Sequence, residues 1–530
     1  MAAESSPNKR DSLGERHQIQ VSAWWAPLIA AAILLLTFTW VASQGMIWYD
    51  VDSDWVKQPA LVKLMTGRFA APMAEGNIPH ASLVYHWYPL YPTLLSVYLS
   101  IVGTSYAAHL WFDLGVNALA AVVGAWWLIR VTHSGWIGAI YLLGAQYLVA
   151  FKFGRPETLT SLAVTLAAAL MVTGGRQYSW LVGILLGGAV AASYPAGLAC
   201  CAAWAAFVVT QEGTWRAKLE LVLVVAVLAM LTTLVIWLYV VYPHWREAVE
   251  ALVYNTQKLG DTITGYLRNI ATDVRLGWPM VMALVLLSLA AWNRQPLFGP
   301  LNGQQARLVR GAFWAAMAYL AVLFILLRRP ALYYFPPLAH LMFPPVVYLA
   351  WRWLRWPDER RWSRAHKIPA VLFTLVAVCW LNAFLVRAAL LPLGWTADSM
   401  TPQKVNNLIQ AIVPRSSTLG GDGKLLAVVG TNWNFISLGW TGTSNWPEYV
   451  VSPVNPRTLE PTLYSFKGFG PRARERIERE YEPLTTHQQE HTPCALTDTL
   501  RRWGWPVPKY RNCDWFVRIW KRRAVEKPAG

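Results

Sequence analysis

Residues 221–241 read LVLVVAVLAMLTTLVIWLYVV, an uninterrupted apolar stretch without a charged side chain. At about 1.5 Å of rise per residue, a helix of this length crosses the roughly 30 Å hydrocarbon core of a bilayer. We therefore predict a membrane-crossing helix over 218–242. The whole composition agrees with this class of protein, since 55% of the 530 residues are hydrophobic, 14% are charged and 31 are Trp.

Apolar stretches of similar length recur from Ala23 to about Pro392, separated by short segments that carry Arg or Pro. They predict a polytopic α-helical membrane protein with about eleven transmembrane helices. The first stretch is longer than the core of a signal peptide and lacks an A-x-A cleavage signature, so we interpret it as a retained anchor. The predicted crossings cover 23–43, 106–129, 136–152, 157–173, 180–194, 195–210, 218–242, 276–292, 308–327, 333–354 and 368–392.

Basic residues set the predicted orientation. If the tail 1–22 is cytoplasmic, the more basic connecting segments all fall on the cytoplasmic side, as the positive-inside rule expects. An odd number of crossings in the transmembrane domain 23–394 then places residues 395–530 outside, together with the first large loop, 44–105. We predict a multi-pass protein of the cell inner membrane. The net charge of +17 is distributed over the same loops, so binding of nucleic acid is not expected.

Residues 395–530 are polar enough to fold in water and predict a small extracytoplasmic α/β domain. Periodicity predicts helices near 403–413 and 472–481 and strands near 425–429, 449–452 and 515–520.

The chain has five cysteines. Cys200, Cys201 and Cys379 lie in apolar spans, where cysteine behaves as a small buried hydrophobe. Cys494 and Cys513 are the only pair in the predicted exported domain. Because an oxidising compartment would join them, we predict a structural disulfide.

The first large loop opens with three alternating carboxylates, Asp50, Asp52 and Asp54. An extended chain would point all three to one side. Such a cluster could bind a divalent cation, or hold one carboxylate at a raised pKa as a general base. The alternative is a solvated acidic turn that caps the next helix. That helix is predicted to run along the membrane surface from Pro59 to a stop at Gly67.

Charged and aromatic residues at three further places could contact a phosphate or a substrate. Arg155 and Glu157 stand between two short apolar segments, so they must face water or each other; the alternatives are a salt-bridged external turn and a phosphate-binding arginine. Arg328 and Arg329 lie at the external end of a crossing, where either phosphate binding or snorkelling to lipid headgroups would explain them. The third place contains Tyr85 and His86, followed by the aromatic and Pro-rich run WYPLYP (87–92).

Familiar soluble-enzyme signatures are missing from the sequence. It contains no Walker loop, Rossmann glycine fingerprint, His-Glu-x-x-His motif or nucleophile elbow. Their absence argues against nucleotide-driven transport and against the common hydrolases.

Taken in order, these motifs resemble a known family. An acidic residue after the first crossing, a surface helix ending in Gly-Arg-Phe (67–69) and the run HWYPLYP (86–92) resemble the first-loop signature of GT-C glycosyltransferases. The closest branch contains the protein O-mannosyltransferases and the lipid A aminoarabinose transferases. The turn Arg-Pro-Glu (155–157) resembles that branch's Arg-Pro-Asp/Glu turn, and 329–336 resembles its later Arg-x-Tyr-x-x-Pro element. The resemblance covers roughly 23–350.

The resemblance implies a GT-C-like membrane fold and a sugar donor carried on a polyprenyl phosphate. The donor would enter sideways from the membrane lipids, and transfer to an unidentified acceptor would occur on the external face. Asp52 matches the family's catalytic acid, but the chain has Asp-Ser-Asp (52–54) where many relatives have Asp-Glu and an aromatic, so Asp50 and Asp54 stay open. The carrier phosphate would be held by Arg155, His86, Arg328 and Arg329, and the substrate would be lined by Glu157, Tyr85 and Tyr334.

No cofactor is expected; a divalent cation at the three first-loop carboxylates is the alternative. Two other functions compete with single-sugar transfer. A lipid flippase or secondary transporter also needs buried charge, although transporters usually place it near the bilayer midplane in repeated halves, and no internal repeat is present here. A polymerase or ligase that uses a diphosphate-linked oligosaccharide would share the external architecture.

Overall fold

The computed structural model describes residues 25–32, 36, 53–72, 78–149, 155–257, 277–292, 298, 301, 303–327, 334–355, 364–384, 402–421, 425–438, 446–453, 471–485 and 517–523.

The described part of the chain before residue 385 is built from helices. Residues 25–32 are helical within the first predicted crossing. The helices that follow are α1 (Ser53–Thr66), α2 (Leu90–Val102), α3 (Tyr106–Thr132), α4 (Gly135–Val149), α5 (Glu157–Gly174), α6 (Ser179–Ala192), α7 (Tyr194–Thr210), α8 (Trp215–Val241), α9 (Trp245–Gln257), α10 (Gly277–Trp292), α11 (Gly303–Leu326), α12 (Pro336–Arg355) and α13 (Arg364–Phe384).

Three helices in the described residues are long and apolar enough to cross a membrane. They are Tyr106–Thr132, Trp215–Val241 and Gln305–Leu326. Shorter apolar helices cover Leu90–Val102, Gly135–Gly144, Glu157–Val172, Tyr194–Thr210, Pro279–Trp292 and Lys367–Val378. The total of about eleven crossings stays a prediction.

Helix α8 shows what surrounds the bundle. Its apolar window has only 11% of its residues buried inside the protein, and Leu223, Val227, Met230 and Val235 are all exposed. A long helix that is apolar on its outer surface is stable in lipid and would aggregate in water.

The helix ends follow local sequence signals. The Ser105 hydroxyl accepts a hydrogen bond from the Ala108 N–H at the start of α3, and Thr214 caps α8 in the same way. Gly67 follows α1 with φ of 77°, a backbone conformation that favours glycine. The predicted start of α1 at Pro59 is wrong: α1 begins at Ser53 and contains Pro59 in its interior.

Small residues allow close packing within the bundle. Helix α6 packs against α5 and α8, and α7 packs against α11. At Gly187 in α6, an added Cβ would lie 2.5 Å from the Ala229 carbonyl oxygen of α8. The Thr233 hydroxyl of α8 donates a hydrogen bond to the Gly187 carbonyl at 3.0 Å. Close approach of this kind through glycine is typical of helix packing in membranes.

The described residues after Thr401 form helices and a mixed sheet. The helices are α14 (Pro402–Ile412), α15 (Leu426–Val429) and α16 (Pro471–Glu480), and the strands are β1 (Thr418–Gly421), β2 (Asn434–Ser437), β3 (Tyr449–Pro453), β4 (Tyr481–Pro483) and β5 (Val517–Arg522).

The five strands are ordered β2-β1-β3-β5-β4. Strand β1 runs parallel to β2 and β3, with Leu419 opposite Phe435 and Tyr449. Strand β5 runs antiparallel to β3 and β4, with Trp520 opposite Val450. Val450, Tyr481 and Trp520 belong to a small apolar cluster of their own, whereas Val451 and Ile519 belong to the apolar core that the sheet shares with the helices.

One strand prediction is wrong. Residues 425–429 were expected to form a strand, but 426–429 form the short helix α15. A short apolar run fits either a strand or a buried helical turn by periodicity. Helix α15 packs against α1 and α3, so tertiary contacts decide the outcome.

Cys200 is buried and Cys201 is half-buried, and both are free thiols. The prediction of a small buried hydrophobe is therefore confirmed for Cys200 and in part for Cys201, and the side chain of Cys379 lies outside the described residues. Cys494 and Cys513 lie outside the described residues, so the disulfide stays a prediction.

Candidate functional site

The segment after α1 carries two predicted site residues into the interior. The Tyr85 N–H donates to the Phe69 carbonyl at 2.8 Å, and the Ala71 N–H donates to the Ala81 carbonyl at 2.8 Å. These bonds hold 81–85 alongside 69–71. Tyr85 and His86 both have 0% of their surface exposed.

The first turn of α1 packs directly on this pair. The Trp55 ring meets the Tyr85 ring edge-on, with centroids 5.4 Å apart, and lies 6.5 Å from the His86 ring. Edge-to-face contacts of this kind fix the relative orientation of aromatic side chains. The position of α1 and the geometry at Tyr85 and His86 are therefore linked.

Arg155 and Glu157 form the charged part of the site. Arg155 Nε lies 3.3 Å from Glu157 Oε2, and the Ser193 hydroxyl donates to Glu157 Oε1 at 3.2 Å. The turn is therefore salt-bridged, but both side chains are buried, with 5% and 1% exposed. Because burial of ions costs several kcal/mol per ion, the pair is more than a solvated surface turn.

Tyr85 is within electrostatic range of these charges. Its pKa is raised well above the usual value, first by burial and then by the neighbouring Tyr88 and Tyr194, while Arg155 acts in the opposite direction. The phenol therefore stays protonated at neutral pH. Among the described residues the Tyr85 hydroxyl has no hydrogen-bond partner, so it is available to donate to a ligand oxygen.

His86 is a neutral base in this environment. Burial lowers its pKa from 6.5 to about 4. Its backbone carbonyl accepts a hydrogen bond from the Tyr194 hydroxyl at 3.1 Å, which connects the loop to the start of α7. A phosphate placed beside a neutral imidazole would favour its protonated form, because the opposite charge offsets part of the cost of burial.

A tyrosine pair connects the first loop to the start of α12. The Tyr88 and Tyr334 hydroxyls are 3.2 Å apart, and both residues are buried. The Tyr319 hydroxyl donates to the Tyr334 carbonyl and fixes its backbone. Tyr88 has a φ of 49°, which is uncommon for a residue with a side chain and is concentrated at functional sites.

The structure brings five predicted site residues into one connected group: Tyr85, His86, Arg155, Glu157 and Tyr334. Asp50, Asp52, Arg328 and Arg329 lie outside the described residues. Asp54 lies in the first turn of α1, and its side chain is not described. The catalytic assignment and the phosphate-binding roles of Arg155, His86, Arg328 and Arg329 all stay predictions.

A second buried charge cluster was missed from the sequence. Lys57 Nζ lies 2.8 Å from Asp113 Oδ2, and the Tyr91 hydroxyl donates to Asp113 Oδ1 at 2.6 Å. Lys57 and Asp113 have 0% of their surface exposed. Burial lowers the pKa of Lys57, and the carboxylate of Asp113 opposes that shift.

A sequence signal for this cluster existed. Asp113 is a carboxylate inside an apolar stretch that was predicted to cross the membrane, and an ionisable residue there indicates a buried partner. Its partner could not be named, because Lys57 is 56 residues away in the chain.

A cavity of about 90 Å³ lies among α3, α5, α7, α11 and α12. Its walls are mostly apolar and include Gly124, Val164, Ala203, Leu308 and His340. Such walls suit hydrocarbon better than phosphate.

Among the residues that the structure describes, no group of three or more His, Cys, Asp or Glu side chains could hold a metal ion. The first-loop carboxylates were not all within that set, so the possible cation there is untested.

No known family model matches the chain, and no curated protein matches it. Among solved structures, the chain is similar to arabinofuranosyltransferase AftD from Mycobacteria, determined by single-particle cryo-EM. The two chains share 14% sequence identity with a TM-score of 0.48, and the match covers 94% of this chain and 40% of the other. At this identity and TM-score, the match assigns neither an activity nor a substrate to this chain.

Proposed function

We propose that the protein is a membrane glycosyltransferase that moves a sugar from a polyprenyl-phosphate carrier to an acceptor on the extracytoplasmic face of the inner membrane. In this proposal the donor lies in the bilayer, and its phosphate meets the protein beside Arg155.

The observation that carries the proposal is the buried Arg155–Glu157 pair, which Ser193 and its neighbour Tyr194 connect to the loop that holds Tyr85 and His86. A guanidinium is weakly hydrated and matches phosphate oxygens in bidentate fashion, so arginine suits a partly dry phosphate site. The Tyr85 hydroxyl adds an uncharged donor without a partner among the described residues. Together they offer one cation and one neutral donor to an anionic, oxygen-rich group at an apolar boundary.

The proposed reaction is an inverting displacement at the anomeric carbon. The acceptor hydroxyl oxygen forms a bond to that carbon as the bond to the carrier phosphate oxygen breaks. A first-loop carboxylate, Asp52 in our assignment, takes the hydroxyl proton. The bonding electrons leave with the polyprenyl phosphate, and Arg155 and His86 stabilise the charge that grows on it.

Glu157 has a different part in this scheme. It orients Arg155 and keeps the guanidinium compensated while no phosphate is present. Because a guanidinium carries five N–H donors, Arg155 can donate to a phosphate while it keeps its ion pair with Glu157, so neither buried charge loses its partner.

A flippase or secondary transporter is the second candidate, and the buried Lys57–Asp113 pair is the observation that favours it, because transporters use buried charge pairs. The position of the charges favours the transferase. Asp113 lies in the second turn of α3 and Glu157 begins α5. In the predicted topology α3 and α5 cross in the same direction, because one crossing lies between them. Asp113 and Glu157 then lie towards the same side of the membrane, whereas transporters place buried charges near the midplane.

The test is transfer of radiolabelled sugar by purified protein in lipid nanodiscs. A panel of polyprenyl-phosphate sugars would be supplied with membrane glycolipid and glycan acceptors, with and without EDTA. Wild-type protein is expected to transfer label from at least one donor, and Asp52→Asn is expected to lose transfer by at least about 100-fold.

Asp50→Asn and Asp54→Asn, measured in parallel, decide among the three first-loop carboxylates. Full activity in Asp52→Asn would make that assignment wrong, and loss of activity in EDTA would establish a metal. Movement of labelled lipid between leaflets without any transfer would support the transporter instead.

A further inference from the structure

Helix α1 lies between two neighbours. One is the Tyr85–His86 pair, which packs on Trp55. The other is the buried cluster of Lys57, Asp113 and Tyr91. Lys57 follows Trp55 by two residues in α1, whereas Tyr91 and Asp113 lie in α2 and α3. Any rotation or shift of α1 that broke the second contact would also move Trp55 against the candidate site.

The cluster is fully satisfied at the carboxylate. Asp113 Oδ2 accepts a hydrogen bond from Lys57 Nζ, and Asp113 Oδ1 accepts one from the Tyr91 hydroxyl. The Asn117 side chain donates to the Asp113 backbone carbonyl at 2.9 Å, and Lys57 Nζ lies 6.0 Å from the centre of the Tyr91 ring. Three helices, α1, α2 and α3, therefore meet at one carboxylate.

Stability alone does not explain an ion pair in this place. Apolar side chains of similar volume often stabilise a buried site as well as an ion pair does, because they avoid the cost of desolvation. An ion pair differs in being directional: it specifies one register and one rotation of the helix that carries it. For α1 that register matters, because Trp55 in its first turn packs on Tyr85 and His86.

The segment after β1 contacts the same helix from another side. Helix α15 packs on α1 and α3, and the Gln58 side chain donates to the Phe435 carbonyl of β2 at 3.4 Å. An added Cβ at Gly430 would lie 3.0 Å from the Thr104 carbonyl oxygen. Gln58 is the residue after Lys57, so the described C-terminal segment contacts α1 directly beside the cluster.

We infer that Lys57, Asp113 and Tyr91 are positioning residues that hold the first turn of α1, and with it Trp55, in register with Tyr85 and His86. The inference rests on the proposed function for its catalytic consequence. Its structural consequence, a fixed first turn of α1, holds independently of the reaction.

The experiment compares Lys57→Met, Asp113→Asn and the double variant Lys57→Met/Asp113→Asn with wild type. Each single variant leaves one buried ion without its partner and is expected to lower the unfolding temperature. The double variant removes both charges and is expected to recover most of that loss. If the cluster only stabilises the fold, the double variant recovers transfer as well. If it positions α1, kcat stays at least about tenfold below wild type while the donor KM changes by less than about threefold.

Tyr91→Phe provides a milder variant in case the charge variants fold poorly. It removes one hydrogen bond to Asp113 and keeps the ring and both charges, so it is expected to lower the unfolding temperature less than either single charge variant and to lower kcat. The matched control is Arg216→Ala, which breaks the exposed Arg216–Glu220 pair on α8; its kcat is expected to stay within about twofold of wild type. Wild-type kcat in both the double variant and Tyr91→Phe would overturn the inference.

Hydrogen–deuterium exchange separates this inference from the proposed function. Amides of 53–66 are expected to exchange faster in the double variant than in wild type, with α8 unchanged. Faster exchange in α1 together with no transferase activity in wild type would retain the positioning role and reject the proposed function. Unchanged exchange in α1 would reject the positioning role whatever the activity.

Discussion

His86 is completely buried, and its lowered pKa of about 4 makes a prediction about acid stability. The pKa in the folded protein lies below the unfolded value of 6.5, so the unfolded chain takes up a proton first as pH falls. Stability is therefore full above pH 6.5 and is lost progressively towards pH 4, by roughly 3 kcal/mol for this residue.

The measurement is the unfolding midpoint of wild type and His86→Gln between pH 7.5 and 4. The glutamine variant lacks this titration, so the difference in stability between the two proteins is expected to shift in its favour as pH falls. Other buried histidines contribute equally to both proteins and cancel. Parallel curves for the two proteins over this range would contradict the assignment of a neutral, buried His86.

Single residues also show where sequence reasoning succeeds and fails. Arg155 and Glu157 could be identified from the sequence because charged residues between apolar segments are unusual. Their ion pair could also be expected, since the two residues are only two positions apart in the chain. Lys57 was overlooked because a lysine in an external loop is ordinary. Its burial depends on the packing of α1 against α2 and on the contact with Asp113 of α3, and no local pattern encodes those contacts.

At the scale of helices, the packing of α6 on α8 can be tested with two adjacent glycines. At Gly187 a Cβ would collide with α8 backbone, whereas at Gly188 it would meet only Leu90 Cδ2 at 3.5 Å, an ordinary contact. Gly187→Ala is expected to destabilise the protein by about 1–3 kcal/mol. Gly188→Ala is expected to be neutral or slightly stabilising, because alanine favours helix by about 1 kcal/mol over glycine.

Thermal unfolding in detergent, with the monodisperse fraction recorded, distinguishes the two variants. Equal behaviour of Gly187→Ala and Gly188→Ala would mean that α6 and α8 do not approach as closely as described.

The elements themselves were predictable to different degrees. The predicted crossing 218–242 agrees with α8, Trp215–Val241, to within three residues at each end. The agreement is close because apolar length and the Thr214 cap are local properties of the sequence. Residues 425–429 were mistaken for a strand because a short apolar run carries no decisive period. The edge strand β4 was not predicted at all: Tyr481–Pro483 has three residues, and its pairing with β5 joins distant parts of the chain.

At the scale of the whole molecule, the predicted topology places the C-terminal end of α5 in the cytoplasm and helix α16 outside. Gln177, just after α5, and Glu475, within α16, are exposed. In intact cells, a membrane-impermeant maleimide is expected to label Glu475→Cys and to leave Gln177→Cys unlabelled until the membrane is opened. Wild-type protein gives the background from its own cysteines. The reverse pattern would invert the orientation, and labelling of both in intact cells would place both positions outside.

The fold as a whole was predictable in class, a helical membrane protein, because composition and apolar length are properties of the complete chain. The joining of the first loop, α5, α7 and α12 into one site was not predictable, because it depends on contacts such as Tyr88 with Tyr334, 246 residues apart.

In the proposed reaction Arg155 is the group that holds the carrier phosphate. The decisive measurement is kcat/KM for sugar transfer from a polyprenyl-phosphate donor by wild type, Arg155→Lys and Arg216→Ala in nanodiscs, at matched amounts of folded protein. Arg155→Lys keeps a cation beside Glu157 but loses the planar fork that engages two phosphate oxygens. We expect kcat/KM to fall by at least about tenfold in Arg155→Lys and to stay within about twofold of wild type in Arg216→Ala. Equal transfer by Arg155→Lys and wild type would contradict a phosphate site at Arg155.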